Sequence, residues 1–463
     1  MPLSKSPAPP SNSHLTHYKT LGLLITLYLA QGLPAGFITQ ALPAILREYK
    51  VSLVAIGWSG LILVPWGLKF LWATVVDGYY SQKIGRAKSW ILPMQGLSIV
   101  ILIAVAFFEP HNLAQTRSVM TLYGMLFTLS LIGATHDVAT DGLATRLLKA
   151  AMAPKEPLTH DMPAPDSVTQ TPNHHHRQSQ GNAVQVIGYR LGLIVGGGVL
   201  LMLLEQWGWR NSFLAMAALV AMNTVPIVFF KEHTHTSVIP AKKQVQAAKS
   251  GSLKALKTYL SHHYQYFWSS REMRAWLGVL LTFKIADGIS SGMVKPMMVD
   301  VGLNLQQIGF WATILGSAAS VAGAGVATIL MKRLTRFRSL LYFNLAQALT
   351  TGLYGLVAYG FYHQLLTDFL WLYVVNALEH FCASLALIAM LTTIMHYSRP
   401  ANAGSDFTVQ VCLLTVLGGS AHFASGYMAH FLGYQWHFWV SMLIGFVCLA
   451  PIIYWHKLQN NEK

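Results

Sequence analysis

Charged side chains interrupt stretches of this chain that are otherwise apolar, and they are its first candidates for chemistry. Pro65–Gln95 carries Lys69, Asp77 and Arg86. If such a stretch crosses a membrane, a charge at its centre costs about 2.5–3.5 kcal/mol on insertion scales, so it needs a partner or a function. The later apolar stretches carry the rest of the set, namely Asp137, Asp141, Arg190, Lys284, Asp287, Lys295 and Glu379.

In the first half of the chain, the charges lie near one end of their segments. Asp137 and Asp141 are four residues apart and share a helical face. Arg190 enters the next segment at a depth that could reach Asp137. Two interpretations stay open for Lys69 and Arg190: a salt-bridged latch that closes an inner gate, or direct contact with a substrate.

In the second half, the charges lie deeper. Lys284, Asp287 and Lys295 have the spacing of residues that project to one face of a single helix. Glu379 lies near the middle of its segment, beside His380. Its carboxylate is either a structural acid, neutralised by hydrogen bonds or a lysine, or a proton-coupling site, because its charged form loses most of its water there.

The composition is that of a polytopic membrane protein. Of the 463 residues, 53% are apolar and 11% are Asp, Glu, Lys or Arg, against about 25% charged in a soluble domain. The net charge of +15 could suggest a nucleic-acid partner. Most of the basic residues fall on one side of the predicted spans, however, so we expect anionic lipid and no nucleic acid.

The apolar segments predict twelve membrane spans of about 20 residues or more. With the N-terminus in the cytoplasm, the Lys and Arg residues concentrate in cytoplasmic loops, so both termini are expected there. The predicted spans are 20–45, 53–77, 89–108, 118–143, 183–205, 210–231, 275–299, 306–331, 339–361, 369–393, 404–430 and 435–456.

Polar stretches divide the chain into two bundles. The predicted parts are a tail at 1–19, a six-helix bundle at 20–231 with a loop at 144–182, a linker at 232–272, a second bundle at 273–457 and a tail at 458–463. His174–His176 in the loop are either metal ligands or part of a disordered segment; we expect the latter, and no resident metal or cofactor. Leu253, Leu256 and Leu260 alternate with lysines in the linker, a pattern that suits an interfacial amphipathic helix.

The two halves repeat short patterns. QGLPAG (Gln31–Gly36) aligns with DGISSG (Asp287–Gly292), and SLVAIG (Ser52–Gly57) aligns with NLQQIG (Asn304–Gly309). A parallel repeat of two six-helix halves is known in transporters whose substrate path lies between the bundles. The alignment places Gln31 opposite Asp287 as a pseudo-symmetric polar contact.

Several motifs resemble a known family. The carboxylate of Asp77 followed by a Gly85-Arg86 turn is similar to the loop 2–3 signature of the major facilitator superfamily. Four longer stretches resemble its AmpG-like branch: YLAQGLPAGF (Tyr28–Phe37), PWGLKFLWA (Pro65–Ala73), GATHDVATDGLA (Gly133–Ala144) and GYRLGLIVGGG (Gly188–Gly198). This branch includes muropeptide permeases, acetyl-CoA transporters and ferric-siderophore importers of the RhtX/FptX type.

The resemblance implies an all-α membrane protein with the twelve-helix major facilitator fold, its two six-helix bundles related by pseudo-twofold symmetry. Together with the charges described above, it gives each candidate a role. Substrate contact is expected from Gln31, Lys69, Arg190, Lys284, Asp287 and Lys295. Proton coupling is expected at Glu379 and Asp137, and gating at Asp77, Arg86 and Asp141.

We expect a monomeric secondary transporter in a bacterial inner membrane. Its similarity to siderophore importers favours proton-driven import of a ferric siderophore of the anionic carboxylate type, which the intramembrane cations suit. The alternative is muropeptide uptake, followed by acetyl-CoA transport or efflux.

An enzymatic function is not expected. HDVATDGLATR (His136–Arg146) faintly resembles the CDP-alcohol phosphotransferase motif, but its aspartate spacing differs and the second half of that motif is absent. The chain also has no G-x4-G-K-S/T loop, so it cannot drive transport by hydrolysing ATP itself.

Overall fold

The computed structural model describes residues 13–152, 185, 187–232, 265–399 and 403–461. Within these residues the chain folds into helices joined by short turns, because a backbone in hydrocarbon must satisfy its N–H and C=O groups within its own segment. His174–His176 and the amphipathic helix predicted around Leu253, Leu256 and Leu260 lie outside the described residues.

Ten described helical segments are long and apolar enough to cross a membrane. Two of them, Ile187–Phe229 and Asp406–Gln459, have 43 and 54 residues, about twice or more what a ~30 Å hydrocarbon core requires. Each is interrupted by a glycine with a φ of 73°, Gly208 in one and Gly433 in the other. Each segment therefore makes two crossings, which confirms the prediction of twelve spans.

We number the spans α1 to α12. The first bundle contains α1 (Thr20–Glu48), α2 (Leu53–Ala73), α3 (Lys88–Ala106), α4 (Thr116–Leu147), and α5 and α6, which precede and follow Gly208. The second contains α7 (Arg271–Asp300), α8 (Leu305–Leu330), α9 (Arg336–Tyr362), α10 (Leu370–His396), and α11 and α12, which precede and follow Gly433.

Helices extend beyond several of the predicted boundaries, including the linker at 232–272, where a helix begins at Arg271, and the tail at 458–463, where a helix ends at Asn461. The first helix already begins at Ser13, inside the predicted tail at 1–19. The helix of α4 continues to Met152, inside the predicted loop at 144–182. Once a helix has formed, each added residue contributes one more backbone hydrogen bond, so a helix need not end where its apolar pattern ends.

The aligned repeats begin their helices in the same way. The Ser52 hydroxyl accepts a hydrogen bond from the backbone N–H of Ala55 at 3.2 Å, at the start of α2. The Asn304 side chain accepts one from the N–H of Gln307 at 2.8 Å, at the start of α8. Both are N-caps, which satisfy donors that the first helical turn leaves free.

The apolar cores show where the two bundles meet. One continuous core lies on the side of the α1–α2 and α7–α8 turns, and it includes Ile45 of the first bundle and Met297 of the second. The other side carries the α2–α3 and α8–α9 turns, which are rich in Lys and Arg; we call it the basic side. There, one core surrounds Ile91 in the first bundle and another surrounds Trp276 in the second. The bundles are therefore joined on one side and have separate cores on the basic side.

Glycines allow α2 of the first bundle and α11 of the second to pack closely against each other. A Cβ placed on Gly60 would lie 2.4 Å from the carbonyl oxygen of Gly419, and one on Gly57 would lie 2.8 Å from that of Phe423. No side chain fits at either position without moving a backbone. Close approach of membrane helices through small residues is a common packing mode, because van der Waals contact then extends along both backbones.

Candidate transport site

Two spans that carry candidate lysines are interrupted at those lysines. In α2, Lys69 separates Val64–Leu68 from Phe70–Gly78. In α7, Lys284 separates Arg271–Phe283 from Ile285–Asp300. Both spans continue past the lysine as one segment, and Lys69 itself keeps helical φ and ψ angles, so each lysine marks only a local irregularity.

Asp137 is the centre of a buried cluster in the first bundle. Its carboxylate accepts from the Lys69 ammonium of α2 and from the Gln31 amide of α1. Asp137 is 5% exposed and Gln31 is also 5% exposed. The structure therefore differs from the predicted contact with Arg190, because Lys69 is the ion-pair partner of Asp137.

Asp141 lies one turn further along α4 and has partners of its own. The Tyr28 hydroxyl donates to its carboxylate at 2.8 Å, and the Gln185 amide donates at 3.3 Å. Together with the Asp137 contacts, these bonds tie α1, α2 and the start of α5 to α4. Tyr28 was not predicted as a polar contact, and its sequence signal is its place three residues before Gln31, on the same helical face.

Asp287 has the same central place in the second bundle. The Lys284 ammonium lies 2.6 Å from one carboxylate oxygen, and the Gln347 amide of α9 donates to the other at 2.7 Å. Both members of this ion pair keep some exposure, since the side chains of Lys284 and Asp287 are 28% and 18% accessible. Gln347 was missed, because a single glutamine within an apolar span is also a common structural residue.

Glu379 of α10 lies beside this group. The Gln347 amide is next to its carboxylate, and Asp287, Lys284 and Lys295 are all close enough to act on it electrostatically. Within the described residues, Glu379 forms none of the salt bridges. Glu379 is thus an acid close to both positive and negative side chains, with no salt-bridge partner among the described residues.

Lys295 and Lys284 have different surroundings, although both belong to α7. Lys284 pairs with Asp287, whereas the buried Lys295 donates to the side-chain oxygen of Gln40 in α1. Lys284 therefore pairs within its own bundle, whereas Lys295 links the two bundles. Gln40 lies in the π-helical turn Phe37–Ala41, a local widening that is frequent at functional sites.

Arg190 is a half-buried cation of α5. It forms no salt bridge with the described residues, and its charge reaches His380 of α10, in the other bundle. Lys295 also acts on His380. Cations from both bundles and the carboxylate of Asp287 thus act electrostatically on one imidazole.

The predicted gate pair is only partly described. The side chain of Asp77 lies outside the described residues, and Arg86 lies over the ring of Tyr80 at 5.8 Å. The carboxylate that holds the α2–α3 turn is Glu232, at the end of α6. It accepts from the backbone N–H of Ala87 at 3.0 Å and of Lys88 at 3.2 Å.

Glu232 also pairs with Arg146 of α4 at 3.1 Å, so it connects three parts of the first bundle on the basic side. Sequence reasoning missed it. The available signal was its position, since it is an acid that directly follows a span and lies among basic residues.

The opposite side is closed by polar contacts between the bundles. Arg47, at the end of α1, meets Asp300, at the end of α7, at 2.7 Å, and the Tyr434 hydroxyl donates to the same carboxylate at 2.6 Å. The indole N–H of Trp58 donates to the Tyr427 hydroxyl at 3.0 Å. With the shared core, these contacts define a conformation that is closed on this side.

Comparisons with known proteins find relatives that are named as transporters. Residues 20–153 match the family model described as acetyl-coenzyme A transporter 1. The chain is 26% identical to the anhydromuropeptide permease of Escherichia coli (strain K12), over 85% of this chain and 71% of that protein. It is 21% identical to the putative transporter AmpG 4 of Rickettsia felis, over 94% of this chain and 96% of that protein.

Solved structures show the same fold. The crystal structure of a D-xylose–proton symporter superimposes with a TM-score of 0.64 and 13% identity, over 95% of this chain and 97% of that one. Its architecture is the major facilitator fold. The chain therefore has the major facilitator fold, and over most of its length it is similar to proteins named as AmpG-like transporters.

Proposed function

We propose that the chain imports an anionic solute of the muropeptide class across a bacterial inner membrane. The carrying observation is the similarity to the E. coli permease over 85% of the chain. Arg190 supports it, because this half-buried cation forms none of the described salt bridges and can receive a solute carboxylate. Siderophore import, expected first from the sequence, receives no support from these relatives.

In this proposal, transport proceeds by alternating access. The closed side faces the periplasm and the basic side faces the cytoplasm, with both termini, in agreement with the positive-inside rule. Arg190 and Lys295 bind the solute anion, and Gln31, Lys69, Lys284 and Asp287 shape the polar wall of the cavity. Asp77, Arg86 and Asp141 belong to the gate on the cytoplasmic side.

We propose proton coupling at Glu379. Asp137 is the weaker candidate, because Lys69 and Gln31 already occupy its carboxylate. Glu379 lies near the middle of α10 and has no salt-bridge partner among the described residues, so its protonation can change as the cavity opens to either side.

The test for coupling is Glu379→Gln. Accumulation in energised cells should be lost, while exchange of labelled solute across de-energised vesicles should continue. A variant that still accumulates solute against its gradient would reduce Glu379 to a structural acid.

The test for the solute uses purified protein in proteoliposomes with an imposed pH gradient. Labelled anhydromuropeptide should accumulate, and unlabelled anhydromuropeptide should compete with it. Acetyl-CoA and a ferric carboxylate siderophore are the comparison solutes. The proposal is wrong if either comparison solute accumulates and the muropeptide does not.

A further inference from the structure

An open groove of about 620 Å³ lies between the start of α7 and the end of α12, on the basic side. It is lined by Arg271, Arg274 and Gly278 of α7 and by Ala450, Tyr454 and Leu458 of α12. The groove is separate from the cluster around Asp287 and Glu379, and the transport mechanism does not use it.

The mouth of the groove is positively charged. Neither Arg271 nor Arg274 forms a salt bridge with any described residue. Arg274 donates one hydrogen bond, to the carbonyl oxygen of Trp268 at 3.2 Å. The neighbouring acid, Glu272, is engaged elsewhere, since it accepts from Gln459 at 2.9 Å. Two guanidinium groups are therefore available to an anion.

The floor of the groove is apolar and descends into the membrane. Gly278 lies about 10 Å further along the helix axis than Arg271, at 1.5 Å per residue. A Cβ on Gly278 would meet no atom within 4 Å, so the groove is open there. Trp268 is 47% exposed beside the arginines, and exposed tryptophans are typical of the membrane–water interface.

We propose that this groove binds an anionic phospholipid from the leaflet on the basic side. Arg271 and Arg274 hold the phosphate, because planar guanidinium groups donate pairs of hydrogen bonds to phosphate oxygens. One acyl chain lies along Gly278 and Ala450, at the depth of the hydrocarbon. The inference is independent of which solute the protein transports.

The first test compares two double variants of the purified full chain. Native mass spectrometry counts retained phosphatidylglycerol, and a titration with this lipid measures its apparent affinity through the rise in melting temperature. Arg271→Gln/Arg274→Gln should weaken binding about 30-fold, on the scale expected for two basic residues at an anionic membrane surface. The control, Lys332→Gln/Arg333→Gln, removes the same charge at the α8–α9 turn and should change the affinity less than threefold. Wild-type affinity in the groove variant, or an equal loss in the control, would overturn the proposal.

The second test fills the groove and leaves its charge intact. Gly278→Leu should displace the retained phosphatidylglycerol, whereas Gly325→Leu, at another open helical position on α8, should not. Retention of the lipid by Gly278→Leu would contradict the proposed path of the acyl chain. Inorganic phosphate is the last probe: if it raises the melting temperature as much as the lipid does, the site binds free anions and the lipid proposal fails.

Discussion

The two bundles treat their buried charges differently. In the first, Asp137 receives Lys69 and Gln31, and Asp141 receives its own donors, all from within the same bundle. In the second, Glu379 has no salt bridge among the described residues, and the donor Lys295 finds its acceptor, Gln40, in the other bundle. The Asp137 cluster thus has all its partners within one bundle, as the Lys284–Asp287 pair does, whereas the Lys295–Gln40 contact depends on how the bundles are arranged.

This difference separates contacts that stabilise one bundle from contacts that change with the conformation. A cluster whose partners move together remains paired in every state of a rocking transporter. A contact that crosses between the bundles, such as Lys295 with Gln40, is made and broken as they move. We therefore expect changes in the first cluster to affect folding, and changes at the interface to affect binding and conformation.

The largest effect is expected from unpairing the first cluster. Asp137→Leu leaves the Lys69 ammonium without its carboxylate, and breaking one side of a buried pair costs about 3–5 kcal/mol. The free energy of unfolding, measured by denaturant titration in detergent micelles, should fall by about this amount. The double variant Lys69→Met/Asp137→Leu should recover most of it. If Asp137→Leu is as stable as the wild type, the Lys69–Asp137 pair does not stabilise the fold.

The next largest effect is a loss of stability that should be similar in both bundles. Gly208→Ala and Gly433→Ala place a side chain on backbones with a φ of 73°, a region that only glycine adopts easily, at a cost of about 1–3 kcal/mol each. Both melting temperatures should fall by similar amounts. Gly96→Ala, at an open helical position, is the control and should not destabilise. Unequal losses at 208 and 433 would show that the two hairpins are not equivalent.

A smaller effect is expected at the interface cation. Arg190→Gln removes a charge that no described salt bridge uses, so solute affinity should fall about tenfold, at the lower end for a charge-assisted hydrogen bond, with little change in stability. Isothermal titration with anhydromuropeptide measures it. The control is Arg210→Gln, whose arginine stacks on Phe107 at 4.5 Å. Equal losses in both variants would assign the effect to net charge.

The smallest effect is expected from the link between the bundles. Gln40→Leu removes one hydrogen-bond partner of Lys295, worth about 1 kcal/mol. The fraction of molecules whose two bundles have separated on the closed side should therefore rise about fivefold. Spin-label distances between Lys50 and Gln306 measure this fraction. Gln115→Leu, an exposed glutamine, is the control. An unchanged distance distribution would exclude a role for this contact in closure.

Local patterns predicted much of the fold. Length, apolar runs and turn residues predicted twelve spans, and the aligned Ser52 and Asn304 begin equivalent helices in both halves. The local irregularities at Lys69 and Lys284 could not be predicted, because both residues are ordinary helix formers. For Glu232, the sequence offered its position after a span among basic residues, but not its partners, which are Arg146 and backbone N–H groups of the α2–α3 turn.

By itself, the sequence determined which residues are confined to the membrane and which of them are charged. This follows from local physics, since about 20 apolar residues span the hydrocarbon and each charge within them is costly. Only the tertiary structure decided the partners. Asp137 pairs with Lys69 and not with Arg190, and Lys295 reaches Gln40 in the other bundle. Partner choice depends on how closely helices approach, and contacts such as Gly60 against Gly419 set that distance.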